Sequence, residues 1–100
     1  MTTRIEEIEG KLVAFLDGEL DTAAAPETEQ ALQPLKECDD KDIVLDCADL
    51  KYIASSGMRV FFGILKSAKA KGHVVEVHNL NDGIRNVFKM TGFDKMFEIK

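Results

Sequence analysis

Two apolar stretches flank Gly10 in the opening segment RIEEIEGKLVAFLDGEL, a hairpin signal. The second, Lys11 to Asp17, is close to continuously apolar, which predicts a strand covered on both faces. The spacing then turns helical through DTAAAPETEQALQPLKEC. Asp21 or Thr22 is placed to cap its start, and Pro26 falls in the first turn, where a missing N–H is tolerated. Leu32 and Leu35 supply part of an inward stripe, and Pro34 ends or bends the helix. KDIVLDCADL predicts a buried strand bracketed by charges.

A second helix runs from Ser55 or Ser56 to about Lys71, with Gly72 at a C-terminal cap position. HVVEVHNL is a fourth strand, and Asn79 or Asn81 caps a third helix through DGIRNVFKMT, which Gly92 ends. KMFEIK closes the pattern as a short strand. The order β-β-α-β-α-β-α-β predicts a single α/β domain over residues 1–100. Its sheet is mixed, the strands that follow helices are parallel and joined by right-handed crossovers, and the helices lie mainly on one side.

Composition narrows the function classes. A chain of 100 residues is near the modal domain size, and 45% hydrophobic with 31% charged residues is ordinary for a globular protein. A net charge of −5 argues against direct nucleic-acid binding, which needs a basic footprint. Its Lys and Arg residues are scattered, against an anionic membrane surface, and no apolar run reaches the roughly 18 residues of a spanning helix. Acidic residues stand in MTTRIEEIEG where a signal peptide would be apolar, so the expected location is cytoplasmic. Cys38 and Cys47 have no short-spaced partners, and Cys47 within DIVLDCA reads as a small buried hydrophobe.

Self-contained catalysis finds no machinery. Ile53 occupies the first glycine position that a nucleophile elbow around Ser55 would need. His73 and His78, five residues apart, fall on opposite faces of a strand and cannot serve one metal or one site. Asp17, Glu19 and Asp21 alternate like a calcium loop, but Thr22 and Thr28 stand where glycine and glutamate belong. No phosphate-binding glycine motif occurs, and neither metal nor cofactor is implied.

The stretch DLKYIASSGMRVFFGIL remains. A hydroxyl at the end of a buried strand, opening a helix, sits where backbone N–H groups and the helix dipole favour negative charge. Such a serine either accepts a phosphate or caps the helix, and the corner by itself leaves both open.

Three segments resemble the STAS family, the small domains shared by bacterial anti-sigma factor antagonists and the tails of sulfate transporters. GELDTAAAPETEQAL is similar to the family's segment after the second strand, IVLDCADLKYIASSGMRVFF to its signature strand, loop and helix, and LNDGIRNVFKMTGFDKMFEI to its ending. The resemblance implies an anti-sigma factor antagonist, which binds a serine-kinase anti-sigma factor and frees a sigma factor. The kinase phosphorylates the first serine of the S-S-G motif to switch the antagonist off, and a metal-dependent serine phosphatase restores it. Mapped here, the acceptor is Ser55, with Ser56 its neighbour and Gly57 the turn. The chain is then a substrate and not an enzyme. Ala54 stands where many switching members carry an acidic residue, and Arg59 replaces the small residue of some. With no spanning segment, the transporter branch is not expected.

The partner surface is expected around the same corner. Asp21 shapes the neighbouring loop or contacts the partner. At roughly 100° per residue, Met58, Val60, Phe61, Phe62, Ile64 and Leu65 fan over about 200°, wider than one core-facing stripe. Met58, Phe61, Phe62 and Leu65 read as core, leaving Val60 and Ile64 at the rim beside the serines as docking residues. The rival expectation is a non-switching STAS scaffold subunit of a signalling or transport complex, whose serines only cap the helix.

Overall fold

Ile8 pairs with Lys11 across the first hairpin, so Glu9 and Gly10 alone make the turn between β1 (Thr2–Ile8) and β2 (Lys11–Leu20). Their φ values, 53° and 79°, are both left-handed, as a two-residue type I′ turn requires. The computed structural model describes every residue, Met1–Lys100. β3 (Ile43–Ile53), β4 (Val75–His78) and β5 (Glu98–Ile99) complete a five-stranded sheet in the order β1-β2-β3-β4-β5. Only the β1–β2 pair is antiparallel. The strand sequence and mixed sheet therefore agree with the expected α/β class.

Sequential order determines where the helices go. Each parallel neighbour is reached by stepping the same way across the sheet, so right-handed crossovers stack every helix on one face. Those crossovers carry α1 (Ala25–Ala31) with α2 (Gln33–Glu37), then α3 (Ser55–Ala70), then α4 (Asp82–Thr91) with a single 3-10 turn at Phe93–Lys95. The helix expected from Asp21 onward is thus two short ones. Pro34 lies in the first turn of α2 and cannot donate to the carbonyl one turn back, and Leu32 at the break is fully buried. Gly72 and Gly92, with φ of 80° and 78°, end α3 and α4 as their sequence positions suggest.

The helix-facing side of the sheet presents Ala14, Leu16, Ile43, Leu45, Cys47, Val75 and Val77 to the core, all essentially fully buried. Cys47 behaves as the small hydrophobe expected, and burial pushes its thiol pKa up. The expectation that β2 is covered on both faces is corrected. Its second face, with Lys11, Val13 and Phe15, carries no helix layer. Long side chains close over it instead: the Arg4 guanidinium lies 4.5 Å from the centre of the Phe15 ring, and Lys11 Nζ donates to Glu76 Oε2 at 2.5 Å. His78 Nε2 donates to the other Glu76 oxygen at 2.8 Å. These two bonds, Lys11 first, hold the Glu76 carboxyl down at about 2 and leave Val13 and Val44 buried beneath charged groups. His73 points elsewhere, between the Asp39 carbonyl at 2.9 Å and the Asp42 carboxylate at 3.1 Å. Both acceptors favour the imidazolium, the Asp39 carbonyl most, and raise its pKa.

Val60 and Ile64 are corrected as well. Both belong to the core, 5% and 0% exposed, and neither lies at a docking rim. α3 packs against the sheet on one side and against α1 and α2 on another, so the apolar arc that holds Val60 and Ile64 is covered. Met58, Phe61 and Leu65 are core as expected, while Phe62 is only half-buried.

Candidate functional site

The start of α3 is shaped by the β-ladder that precedes it. β2 and β3 stay in register to Leu20 and Ile53, and the Ala54 N–H then donates to the Leu20 carbonyl at 2.9 Å. That bond holds Ala54 in extended geometry, φ −90° and ψ 171°, so Ala54 is the N-cap residue and its carbonyl accepts the first helical bond, from the Met58 N–H at 3.0 Å. Alanine has no side-chain acceptor, and no side chain caps α3. The N–H groups of Ser55, Ser56 and Gly57 in the first turn have no acceptor within the protein.

Neither serine is a cap. Ser55 is the first helical residue and is exposed. Ser56 is half-buried, and its hydroxyl donates to Thr22 Oγ1 at 3.4 Å, a long bond that ties the α3 start to the β2–α1 loop. Gly57 is not the turn that the motif suggested. It is buried inside the helix, and a Cβ there would meet Leu20 Cγ at 2.6 Å and Ile53 Cγ1 at 2.9 Å. Those distances forbid a side chain, so Gly57 lets the helix start approach the ends of β2 and β3.

Asp21 sits in the adjoining loop. Its Oδ1 accepts the Ala24 N–H at 2.9 Å and its carbonyl accepts the Ala25 N–H at 3.0 Å. It closes the turn that precedes α1, whose own N-cap is Ala24 with no capping side chain. The expectation that Asp21 or Thr22 caps the helix itself is therefore corrected, and the first turn of α3 is left without a carboxylate acceptor. Asp21, Ser55, Ser56 and Gly57 therefore share one corner of the molecule, while Val60 and Ile64 lie under it in the core.

A depression of about 480 Å³ opens on the other flank of α3, toward α4. Tyr52, Phe62, Val87 and Phe93 line it, with Ser55 and Arg59 at its polar side. Tyr52 is 49% exposed and Phe62 stacks at 5.7 Å on Phe93. The helical arc of the sequence hid this groove, since Phe62 reads there as core and the α4 residues are remote in the chain. A tyrosine at an outward-facing strand position two residues before the helix cap was the available signal. No cluster of His, Cys, Asp and Glu with metal-holding geometry lies at this corner or elsewhere, and no helix is long and apolar enough to cross a membrane.

The same architecture occurs in proteins of known structure. An anti-sigma factor antagonist from Mycobacterium paratuberculosis superposes with a TM-score of 0.88 at 24% identity, covering 98% of this chain and 83% of its own. The Bacillus cell-fate determinant SpoIIAA in its phosphorylated form gives 0.74 at 20% identity, covering 99% and 91%. At these identities the likeness concerns the fold. In sequence, the anti-sigma-B factor antagonist of Staphylococcus aureus is 28% identical over 82 residues, 82% of this chain and 76% of that protein. The STAS domain pattern matches residues 2–100, strand, serine corner and terminal helix together, and the chain belongs to the STAS domain family.

Proposed function

We propose that this chain is an anti-sigma factor antagonist that binds a serine-kinase anti-sigma factor and is switched off by phosphorylation of Ser55. One observation carries the reading beyond family likeness: the exposed Ser55 hydroxyl opens a sixteen-residue helix whose first turn has no capping side chain. Relatives named as antagonists support the binding role. In the reaction the kinase transfers the γ-phosphoryl group of ATP to Ser55 Oγ, releasing ADP and the hydroxyl proton. A serine phosphatase returns the hydroxyl by hydrolysis. The chain contributes no catalysis, only the acceptor and its presentation.

The switch then acts on the partner and leaves the fold alone. A phosphate adds about −1.5 to −2 charge and three acceptor oxygens. Unpaired N–H groups and the positive end of the helix dipole receive it locally. At the docking surface of Asp21, Ser55 and Ser56 the same charge is repelled or must be desolvated, at a cost of several kcal/mol if the contact is buried. Val60 and Ile64 take no direct part in that surface, because they are inside.

The test is incubation with the cognate kinase and ATP, followed by phosphopeptide mapping and titration against the kinase. Ser55→Ala should abolish labelling, whereas Ser56→Ala should leave most of it, since the Ser56 hydroxyl is engaged with Thr22. Label on Ser56 or on a threonine would defeat the assignment. A chain that binds its partner equally well with Ser55 or Ser55→Asp is a non-switching scaffold.

A further inference from the structure

We propose that Arg59 is the residue that receives the Ser55 phosphate, closing a guanidinium–phosphate pair along α3; this rests on Ser55 being the modified residue. Ser55 and Arg59 stand at i and i+4 of one regular helix, the spacing at which side chains on a helix surface meet. Both line the same side of the groove between α3 and α4. Arg59 is exposed and engaged in no ion pair, so its charge is uncommitted before modification. The contrast with Arg4 is direct, since Arg4 is held by Glu6 at 2.6 Å and by the Phe15 ring. Glu29 of α1 is the carboxylate that shares a depression with Arg59 on its other flank, and it stays outside pairing distance.

A planar guanidinium offers paired N–H donors that match two phosphate oxygens, which an ammonium cannot do. The pair would fold the modified side chain along the helix toward Arg59, which lines both the α3–α4 groove and the depression beside Thr22 and Ser56. Two consequences follow. The dianion is favoured over the monoanion, and a phosphatase must break the pair before it can reach the phosphorus. Arg59 is thus a positioning residue for the off state, setting how long the phosphate persists.

The experiment installs phosphoserine at position 55 during synthesis and follows its second ionisation by phosphorus NMR. The set comprises the otherwise wild-type chain, Arg59→Ala, Arg59→Lys and, as a control, Lys66→Ala, whose backbone lies about 16 Å along the helix axis from that of Ser55. Arg59→Ala should raise the proton affinity of the phosphate about two- to fivefold, the range of an exposed ion pair, and speed dephosphorylation by a similar factor. Arg59→Lys should recover part of both effects, and Lys66→Ala neither. Melting of the unphosphorylated variants checks that Arg59 is not merely structural. Unchanged titration in Arg59→Ala, or an equal shift in Lys66→Ala, overturns the proposal. Because the phosphate is built in, this result is independent of the kinase: an unlabelled Ser55 in the kinase assay fails the functional reading, an unmoved titration fails this one.

Discussion

The starts of α3 and α4 look alike in sequence, a small polar pair and a glycine after an apolar residue, yet they are finished in opposite ways. At α4, Asn81 accepts the Ile84 N–H at 2.8 Å while its amide donates to the Leu50 carbonyl at 3.2 Å, and Asp82 supplies negative charge in the first turn. That terminus is satisfied and tied to β3. At α3, Ala54 occupies the cap, no acid stands in the first turn, and the nearest carboxylate loop, at Asp21, caps another turn. The difference leaves the first turn of α3, unlike that of α4, with unpaired donors, and the proposed phosphate would meet them there. It also shows that a helix can lack a cap without being loose, because the rest of α3 is fixed by its core contacts.

That last point gives the largest expected effect. Truncating Ile64, fully buried in α3, should cost about 2–5 kcal/mol in denaturant unfolding. Val60→Ala should also destabilise the fold, although both residues stand close to the serines in sequence. If either loses partner affinity while keeping full stability, α3 is not anchored by its core contacts and its open end has no special meaning.

Asn81→Ala comes next. It removes the cap and the tether to Leu50 and should cost about 1–2 kcal/mol. Ser55→Ala, the matching change at α3, removes no bond and should stay within about 0.5 kcal/mol. Equal losses at the two sites would erase the distinction between a closed and an open terminus.

The sequence made the α4 end legible because cap, helix and stop are local: Asn81, the periodic run and Gly92 lie within a dozen residues and need no tertiary partner. The α3 end was less so. Which of Ala54, Ser55 and Ser56 takes the cap position depends on the hydrogen bond from Ala54 to Leu20, a contact with a strand more than thirty residues away. Cap preference favours serine, and the ladder register overrides it. The same non-locality misplaced Val60 and Ile64, since an arc of apolar residues says how much of a helix is buried but not that α1 and α2 cover its flank. Gly57 was recognised by type, whereas its role, clearance for Leu20 and Ile53, appears only when the three meet.

Supplying the missing cap sharpens the contrast further. Ala54 already has the extended backbone of a cap residue, so Ala54→Asn should accept a first-turn N–H and stabilise the protein by about 0.5–1 kcal/mol in the same unfolding assay. It should also make the terminus less receptive to an added anion. A destabilised Ala54→Asn would mean that the first turn is already satisfied in solution.

The smallest shift belongs to Ser55→Asp, and it carries the most about mechanism. A carboxylate in the first turn of a helix is favourable by about 0.3–1 kcal/mol at low ionic strength. Here it meets unpaired N–H groups and a neighbouring arginine, so the melting temperature should stay level or rise slightly, with the gain fading as salt is added. In the Ala54→Asn background the gain should shrink, because side-chain cap and carboxylate compete for the same donors. Affinity for the kinase should fall in both backgrounds, since in the proposed docking surface the charge at position 55 faces the partner either way. Stability and binding would then move in opposite directions from one substitution, as expected of a switch whose charge is welcome within the domain and unwelcome at its interface. A large loss of stability with unchanged affinity would place the cost of the charge inside the fold, and the open end of α3 would no longer support the proposed switch.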